Sequence, residues 1–297
     1  MQDNGAPETE KILASAYGLS HLAKIRKGVL RRNFSSRARE LSGGDAVVIS
    51  IPKSGRTWVR TFLAAYYCKR EGLEMTLEPE KYGRADIPRI IYSHDLFEHR
   101  TKGNVWDRLR GKYLIPAREL KAARPVLLVR DPRDAFVSLY VQLTRRTRET
   151  PAELKQQSVG ELLRHRGHGI RSMVETMNTW LEELSGKPGF ALVKYEALRA
   201  EPERHFRRLL ADLGETAPDP VAFAHALAFS EFGNMQKLEA AGAFESKILR
   251  AGDVRDPESF KVRRGKVGGF TDYLSPEDQS FAAEAVASLR PEFGYSP

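Results

Sequence analysis

A chain of 297 residues, 41% hydrophobic and 29% charged, can bury a sizeable core and fits one large α/β domain at least as well as two small ones. Its formal net charge of +9 favours an anionic ligand (nucleic acid, lipid headgroup, nucleotide or sulfated polymer) and says nothing of fold. A single cysteine, Cys68, excludes an intrachain disulfide and a cysteine-based metal cluster; lying in an apolar stretch, it reads as core packing.

Residues 1–10 are polar and acidic, no apolar leader core follows, and no apolar run is long enough to cross a bilayer. The expected compartment is the cytoplasm. Residues 1–45 read as a basic helical N-terminal extension. Lys24, Arg26, Lys27, Arg31, Arg32, Arg37 and Arg39 surround Leu22, Ile25, Val29 and Leu30 with amphipathic spacing. The expectation is a helix packed on the domain with a solvated basic face; peripheral contact with a membrane or polyanion is the alternative.

From residue 46 to 297 the pattern is α/β. The run AVVISI at 46–51 is a buried-strand candidate, followed by the turn PKSG and a helical pattern carrying Trp58, Phe62, Leu63, Tyr66 and Tyr67. PVLLV at 125–129 and FALV at 190–193 are two more such strands, with helical patterns between them. Three strands in this arrangement predict a parallel, doubly wound sheet in a single domain. Residues 98–118, 142–169 and 252–266 read as irregular, and long loops of that kind tend to be functional.

In an open α/β sheet ligands bind at the carboxyl ends of the strands. After the first strand, Lys53, Ser54, Gly55, Arg56, Thr57 and Trp58 form a glycine turn opening a helix. Its N–H groups and positive helix end suit a phosphate, with Lys53 as a point charge and Ser54 and Thr57 as hydroxyl donors. The lysine precedes the glycine, so this is not a Walker A loop, and no hydroxyl is placed as one would be to hold magnesium. After the next strand, RDPRDAFVS at 130–138 puts Arg130 and Ser138 within reach of one phosphate, unless Arg130 is merely tied to Asp131 or Asp134 in a surface turn.

PKSGRTW resembles the 5′-phosphosulfate-binding loop of sulfotransferases that use 3′-phosphoadenosine 5′-phosphosulfate (PAPS), usually PKSGTTW, with Arg56 in place of a threonine. The segment 130–138 is similar to that family's 3′-phosphate segment. Arg263, Arg264 and Gly265 match its RKGxxGDW region, with Gly269 and Phe270 for the aspartate and tryptophan. The likeness runs from about residue 47 to 274 with its anchors in order. It implies a P-loop-NTPase-like parallel sheet flanked by helices, PAPS as co-substrate and PAP as product, and metal-free in-line sulfuryl transfer to a hydroxyl or amine. It further implies that Trp58 and Phe232 contact adenine, that Tyr195 and Ser230 make polar contacts, and that Met235 completes the pocket. His94, in Tyr92-Ser93-His94, stands where the family's K-x-H histidine serves as general base, with Tyr92 in place of the lysine. For each aromatic, core packing is the alternative.

The six other histidines, His21, His99, His165, His168, His205 and His225, read as structural or solvated, and no metal site is expected. The loop carrying Arg263 and Arg264 repels itself and should order when an anion arrives. The family's short dimerisation segment has no match after Phe270, which leaves the oligomeric state open. Rival readings are a P-loop-type nucleotide kinase, a nucleic-acid-binding protein, for which no binding motif is present, and an inactive nucleotide- or polyanion-binding homologue. The acceptor is expected to be a small molecule, or a saccharide or lipid headgroup, bound by residues 98–118 and 142–169. The basic side chains Arg145, Arg146, Arg148, Lys155, Arg164 and Arg166 hint that it is anionic.

Overall fold

A computed structural model describes residues 31, 33–147, 149–253, 255–256 and 259–297. The amphipathic helix expected within 1–45 falls largely outside them, as do Lys24, Arg26, Lys27 and Arg32. Among the described residues no helix is long and apolar enough to cross a membrane.

Four parallel strands form one sheet: β1 (Ala46–Ser50), β2 (Ile90–Ser93), β3 (Arg124–Val129) and β4 (Ala191–Lys194), in the order β2-β1-β3-β4. The three expected strands are present. The fourth, β2, is four residues long and only alternately buried, which is what an edge strand needs and why it gives little periodic signal. It pairs with β1 from Ala46↔Ile90 to Ile49↔Ser93.

Residues 46–49 of β1 and 125–129 of β3 are apolar without a break because both faces of these strands are covered. Val47, Ile49, Leu127 and Val129 join one core layer with Phe136 and Trp180. Val48, Val126 and Leu128 join the other with Phe62, Phe206 and Phe223. Helix α1 (Arg56–Arg70) supplies Phe62, whose ring stacks on Phe206 with centroids 4.0 Å apart. On the opposite face lie α2 (Pro132–Val141) and α3 (Ile170–Leu184), which bring Phe136 and Trp180. Cys68 is buried in α1, as its apolar neighbours suggest.

Two segments expected to be irregular contain short helices. Residues 98–118 hold part of Asp95–Thr101, all of Val105–Leu109 and the start of Ala117–Ala122. Residues 142–169 hold a π-type turn, Gln142–Arg146, and Val159–Arg164. Local caps account for two of them. Asn104 accepts the Asp107 N–H at 2.9 Å, and Ser158 with Glu161 forms a capping box. Residues 260–268 carry no helix or strand, as expected.

β1 has β2 on one side and β3 on the other, so the chain reverses direction across the sheet between β2 and β3. The carboxyl ends of β1 and β3 therefore flank the crevice where such sheets bind ligands.

Candidate active site

A cavity of about 380 Å³ opens at that crevice, and all four strand ends contribute to it: Lys53 after β1, His94 after β2, Arg130 after β3 and Tyr195 after β4. In the turn after β1, Lys53 has φ +71° and Gly55 φ +91°, left-handed values that fold the backbone into a cradle. A side chain at Gly55 is excluded twice, since a Cβ there would lie 2.6 Å from the Tyr195 ring. Gly55 is also the N-cap of α1 and offers no side-chain bond, so the first N–H groups of that helix remain available to an anion. Lys53 Nζ donates to Gln142 Oε1 at 3.2 Å. Burial, followed by the charges of Arg146, Lys261 and Arg130, pushes the Lys53 ammonium well below its usual range. An anion entering here would relieve both effects.

Arg130 lies over the Tyr195 ring at 4.4 Å and donates to the Lys53 and Lys266 carbonyls at 3.3 and 2.9 Å. Its Nε is buried without a partner. The surface-turn alternative holds in part, since Arg130 pairs with Asp134, but the pair lines the cavity and not a surface turn. Asp131 pairs instead with Arg133 at 2.8 Å, and Asp134 stands 3.6 Å from the Arg130 guanidinium while accepting the Gly268 and Phe270 N–H groups. Ser138 lines the cavity from α2.

Arg263, Arg264 and Gly265 close the same side. Gly265 has φ +60°, and a Cβ there would sit 2.6 Å from the Phe232 ring. Trp58, Tyr195 and Phe232 form an aromatic wall: Trp58 meets Tyr195 edge-on with centroids 5.9 Å apart, and the Arg199 guanidinium lies over both Trp58 and Phe232 at 5.8 and 5.3 Å. The basic loop also has partners of its own. Glu239 accepts the Lys261 and Val262 N–H groups at 2.7 and 2.9 Å, Gln236 donates to the Val262 carbonyl, and Asp272 pairs with Arg264 and Lys266. Carboxylates from elsewhere in the chain offset the charge that suggested self-repulsion.

His94 ends β2 and caps the helix Asp95–Thr101. Its Nδ1 is 2.7 Å from the Ser50 carbonyl. A carbonyl only accepts, so Nδ1 carries the proton and Nε2 keeps its lone pair. Burial, then the charge of Arg56, holds the imidazole well below its ordinary value and hence neutral at pH 7. The next residue, Asp95, is buried at φ +35°. It is held there by Arg31 Nη1 and Nη2 at 2.9 and 3.0 Å, by the Ile115 N–H at 2.8 Å and by Trp180 Nε1 at 3.3 Å. Arg31 also grips Glu183 through Nε and Nη2 at 2.7 and 2.6 Å.

Of the sequence candidates, Lys53, Gly55, Arg56, Thr57, Trp58, His94, Arg130, Ser138, Tyr195, Phe232, Met235, Arg263, Arg264 and Gly265 all line this cavity. Ser54 and Ser230 do not. Ser54 lies beneath the cradle with its hydroxyl buried and unpartnered, and Ser230 spends its hydroxyl on the Ala226 carbonyl at 2.8 Å. Tyr92, at the position of the family's lysine, packs under the Arg60 guanidinium at 4.9 Å. Arg31 is a correction: read as part of a solvated basic face, it is 2% exposed and bound to two carboxylates. His168 is another residue whose place the sequence did not reveal. It lines the cavity, and burial holds its imidazole down to about 4. Arg146, one of the basic side chains expected near the acceptor, lines it too, and Arg199 and Lys261 line it unforeseen, since no local motif marks them.

A family model described as "Sulfotransferase domain" matches residues 44–290. Cytosolic sulfotransferase 14 of Arabidopsis thaliana is 27% identical over 257 residues, 78% of this chain and 71% of that one. Cytosolic sulfotransferase 17 of the same plant is 22% identical over 269 residues, 86% and 76% of the two chains. Among solved structures, mouse sulfotransferase SULT7A1 complexed with PAP superimposes with a TM-score of 0.57 at 16% identity, covering 91% of this chain and 90% of the other. Retinol dehydratase in a complex with retinol and PAP gives 0.57 at 15% identity, over 95% and 94%.

Proposed function

The chain belongs to the sulfotransferase domain family and is a PAPS-dependent sulfotransferase; from that premise we propose how its cavity performs the transfer. The observation that carries the reading is the His94 tautomer. With Nδ1 committed to the Ser50 carbonyl, Nε2 is a neutral acceptor inside a cavity otherwise rich in cations. His94 is the general base that takes the proton from an acceptor hydroxyl or amine.

The donor site fits a nucleotide with an anionic group at each end. The cradle residues Lys53, Gly55 and Thr57 and the N–H groups opening α1 take the 5′-phosphosulfate. Arg130, Ser138, Arg263, Arg264 and Gly265 take the 3′-phosphate. Trp58, Phe232, Met235 and Tyr195 hold the base. The unpartnered Arg130 Nε and the two glycines that admit close approach are what such a ligand would use. Bound, PAPS supplies the sulfuryl group, whose bond to the 5′-phosphate breaks as the bond to the acceptor oxygen or nitrogen forms.

Lys53 neutralises the charge growing on the leaving phosphate. It is ready to do so because its ammonium has only the weak partner Gln142. This scheme needs no metal ion: positioning and preorganised charge do the work. The acceptor is a small molecule, or the headgroup or end of a lipid or saccharide, and the structure of a retinol dehydratase with androsterone and PAP shows a relative of this fold holding such a molecule. The plant relatives are cytosolic sulfotransferases by name, which supports a cytosolic location for this chain.

Calorimetric titration with PAP, with and without magnesium and with ATP as control, tests the donor site. Magnesium-independent PAP binding with no response to ATP is expected. Preference for ATP with magnesium would return the chain to the kinase reading.

A further inference from the structure

Two arginines in the cavity wall are left over once the donor is accounted for. Arg56 belongs to the cradle turn, and its guanidinium lines the cavity as well. The groups whose charges act on that guanidinium are Glu98, Arg60, Tyr92 and Arg37, on the His94 side, and Arg56 is the largest charge acting on His94 itself. Arg146 ends the π-type turn that extends α2 and lines the same cavity, and its Cγ approaches Gly252 closely enough that a Cβ there would lie 2.8 Å from it. Single π-type turns often mark functional positions.

Both guanidiniums line the cavity, both are half-buried, and among the described residues neither makes a hydrogen bond or ion pair. Of the remaining arginines of this wall, Arg130, Arg263 and Arg264 have hydrogen-bond or ion-pair partners, and Arg199 lies over the Trp58 and Phe232 rings. The carboxylates that line it are already engaged: Glu98 by Lys102 and Arg37, Asp134 by Arg130 and two N–H groups. Burial draws Arg56 down to about 10 and depresses Arg146, so both are desolvated cations that an anion would stabilise.

PAPS carries its charge at the 3′-phosphate and the 5′-phosphosulfate, and each end has its own donors among the residues above. We infer that the acceptor of this enzyme is itself anionic, and that a carboxylate, sulfate or phosphate on it is bound by Arg56 and Arg146 while its hydroxyl faces His94. Guanidinium suits this task because its fork of donors matches a planar carboxylate or a tetrahedral oxyanion. The apolar lining between them, Phe97, Val137 and Leu143, would hold the body of the molecule. The inference rests on the sulfotransferase reading of the same cavity.

The test is calorimetric binding to the full chain saturated with PAP, so that donor and acceptor sites are read separately. The probes are 4-hydroxybenzoate and 4-hydroxyphenylacetate, each against its uncharged methyl ester. At least tenfold tighter binding of one carboxylate over its ester is expected. That ratio should collapse toward one in Arg146→Gln and fall in Arg56→Gln, each variant being kept saturated with PAP at its own measured affinity. PAP binding with carboxylates no tighter than their esters, or a preference untouched by both substitutions, overturns the anionic acceptor and leaves the enzyme class intact. Failure of the unmodified chain to bind PAP overturns the sulfotransferase site and this inference with it.

Discussion

The two ends of the cavity are built differently. The donor end is made of short, contiguous segments: the cradle after β1, the turn after β3 and the loop through Gly265. Much of its binding capacity is backbone, set by φ values and by glycines that a Cβ would close. The acceptor end has no such segment. His94 follows an edge strand, Arg56 comes from a helix, Arg146 from a π-type turn and His168 from residues before α3, and His94 is held by the Ser50 carbonyl, 44 residues away in sequence. A nucleotide would be met by contiguous segments, whereas an acceptor would be met by side chains that only the fold assembles.

If the division holds, donor-end changes should appear in nucleotide affinity and acceptor-end changes in turnover. The largest effect expected is from His94→Ala, which should lower kcat by about 10²–10⁴-fold while PAP affinity changes little. Comparable loss of PAP affinity would erase the distinction between the ends.

Next is Arg31→Met, which leaves Asp95 and Glu183 without their shared cation. Removing one partner of so buried a cluster costs about 3–5 kcal/mol, read as a lower midpoint in urea melts. An unchanged midpoint would mean that the His94 segment is not pinned from the N-terminal side.

At the donor end, Gly265→Ala forces φ +60° on an alanine and drives its Cβ into Phe232. Strain of ~1–3 kcal/mol should weaken PAP binding by roughly tenfold, with kcat at saturating PAPS close to that of the parent. Equal losses in both would show that the loop also shapes the acceptor end.

The proton affinity of His94 links the two ends. With no nucleotide bound, NMR titration should show its imidazole neutral well below the ordinary histidine range, for reasons of burial and the Arg56 charge. Because the folded value lies below the unfolded one, the stability associated with the neutral ring is full above about pH 6.5. It is lost as pH falls through the folded value. PAP, bringing negative charge close by, should raise the titration point. A titration indifferent to PAP would separate the ends more sharply than proposed.

The smallest effect expected is from Arg199→Ala, which removes a cation from the faces of Trp58 and Phe232. An exposed contact of that kind is worth about 0.5–1 kcal/mol, a two- to fivefold weaker PAP affinity by calorimetry.

The sequence by itself determined the sheet-forming runs at β1 and β3, because strands buried on both faces are nearly unbroken apolar runs, and at β4, an edge strand whose run FALV is still apolar. It also determined the donor loops, because a phosphate cradle needs glycine, lysine and hydroxyl groups at contiguous positions. It could not show β2, a half-exposed edge strand of four residues, or the short helices whose caps lie outside any periodic pattern. It put Ser54 and Ser230 in the site, although their hydroxyls point elsewhere, and it read Arg31 as solvent-facing. Only the tertiary structure decided those points. A hydroxyl's direction depends on the turn it sits in, and an arginine is buried or solvated according to which carboxylates the fold brings to it. Asp95 and Glu183 lie 64 and 152 residues away from Arg31 in the chain, and no local rule connects them.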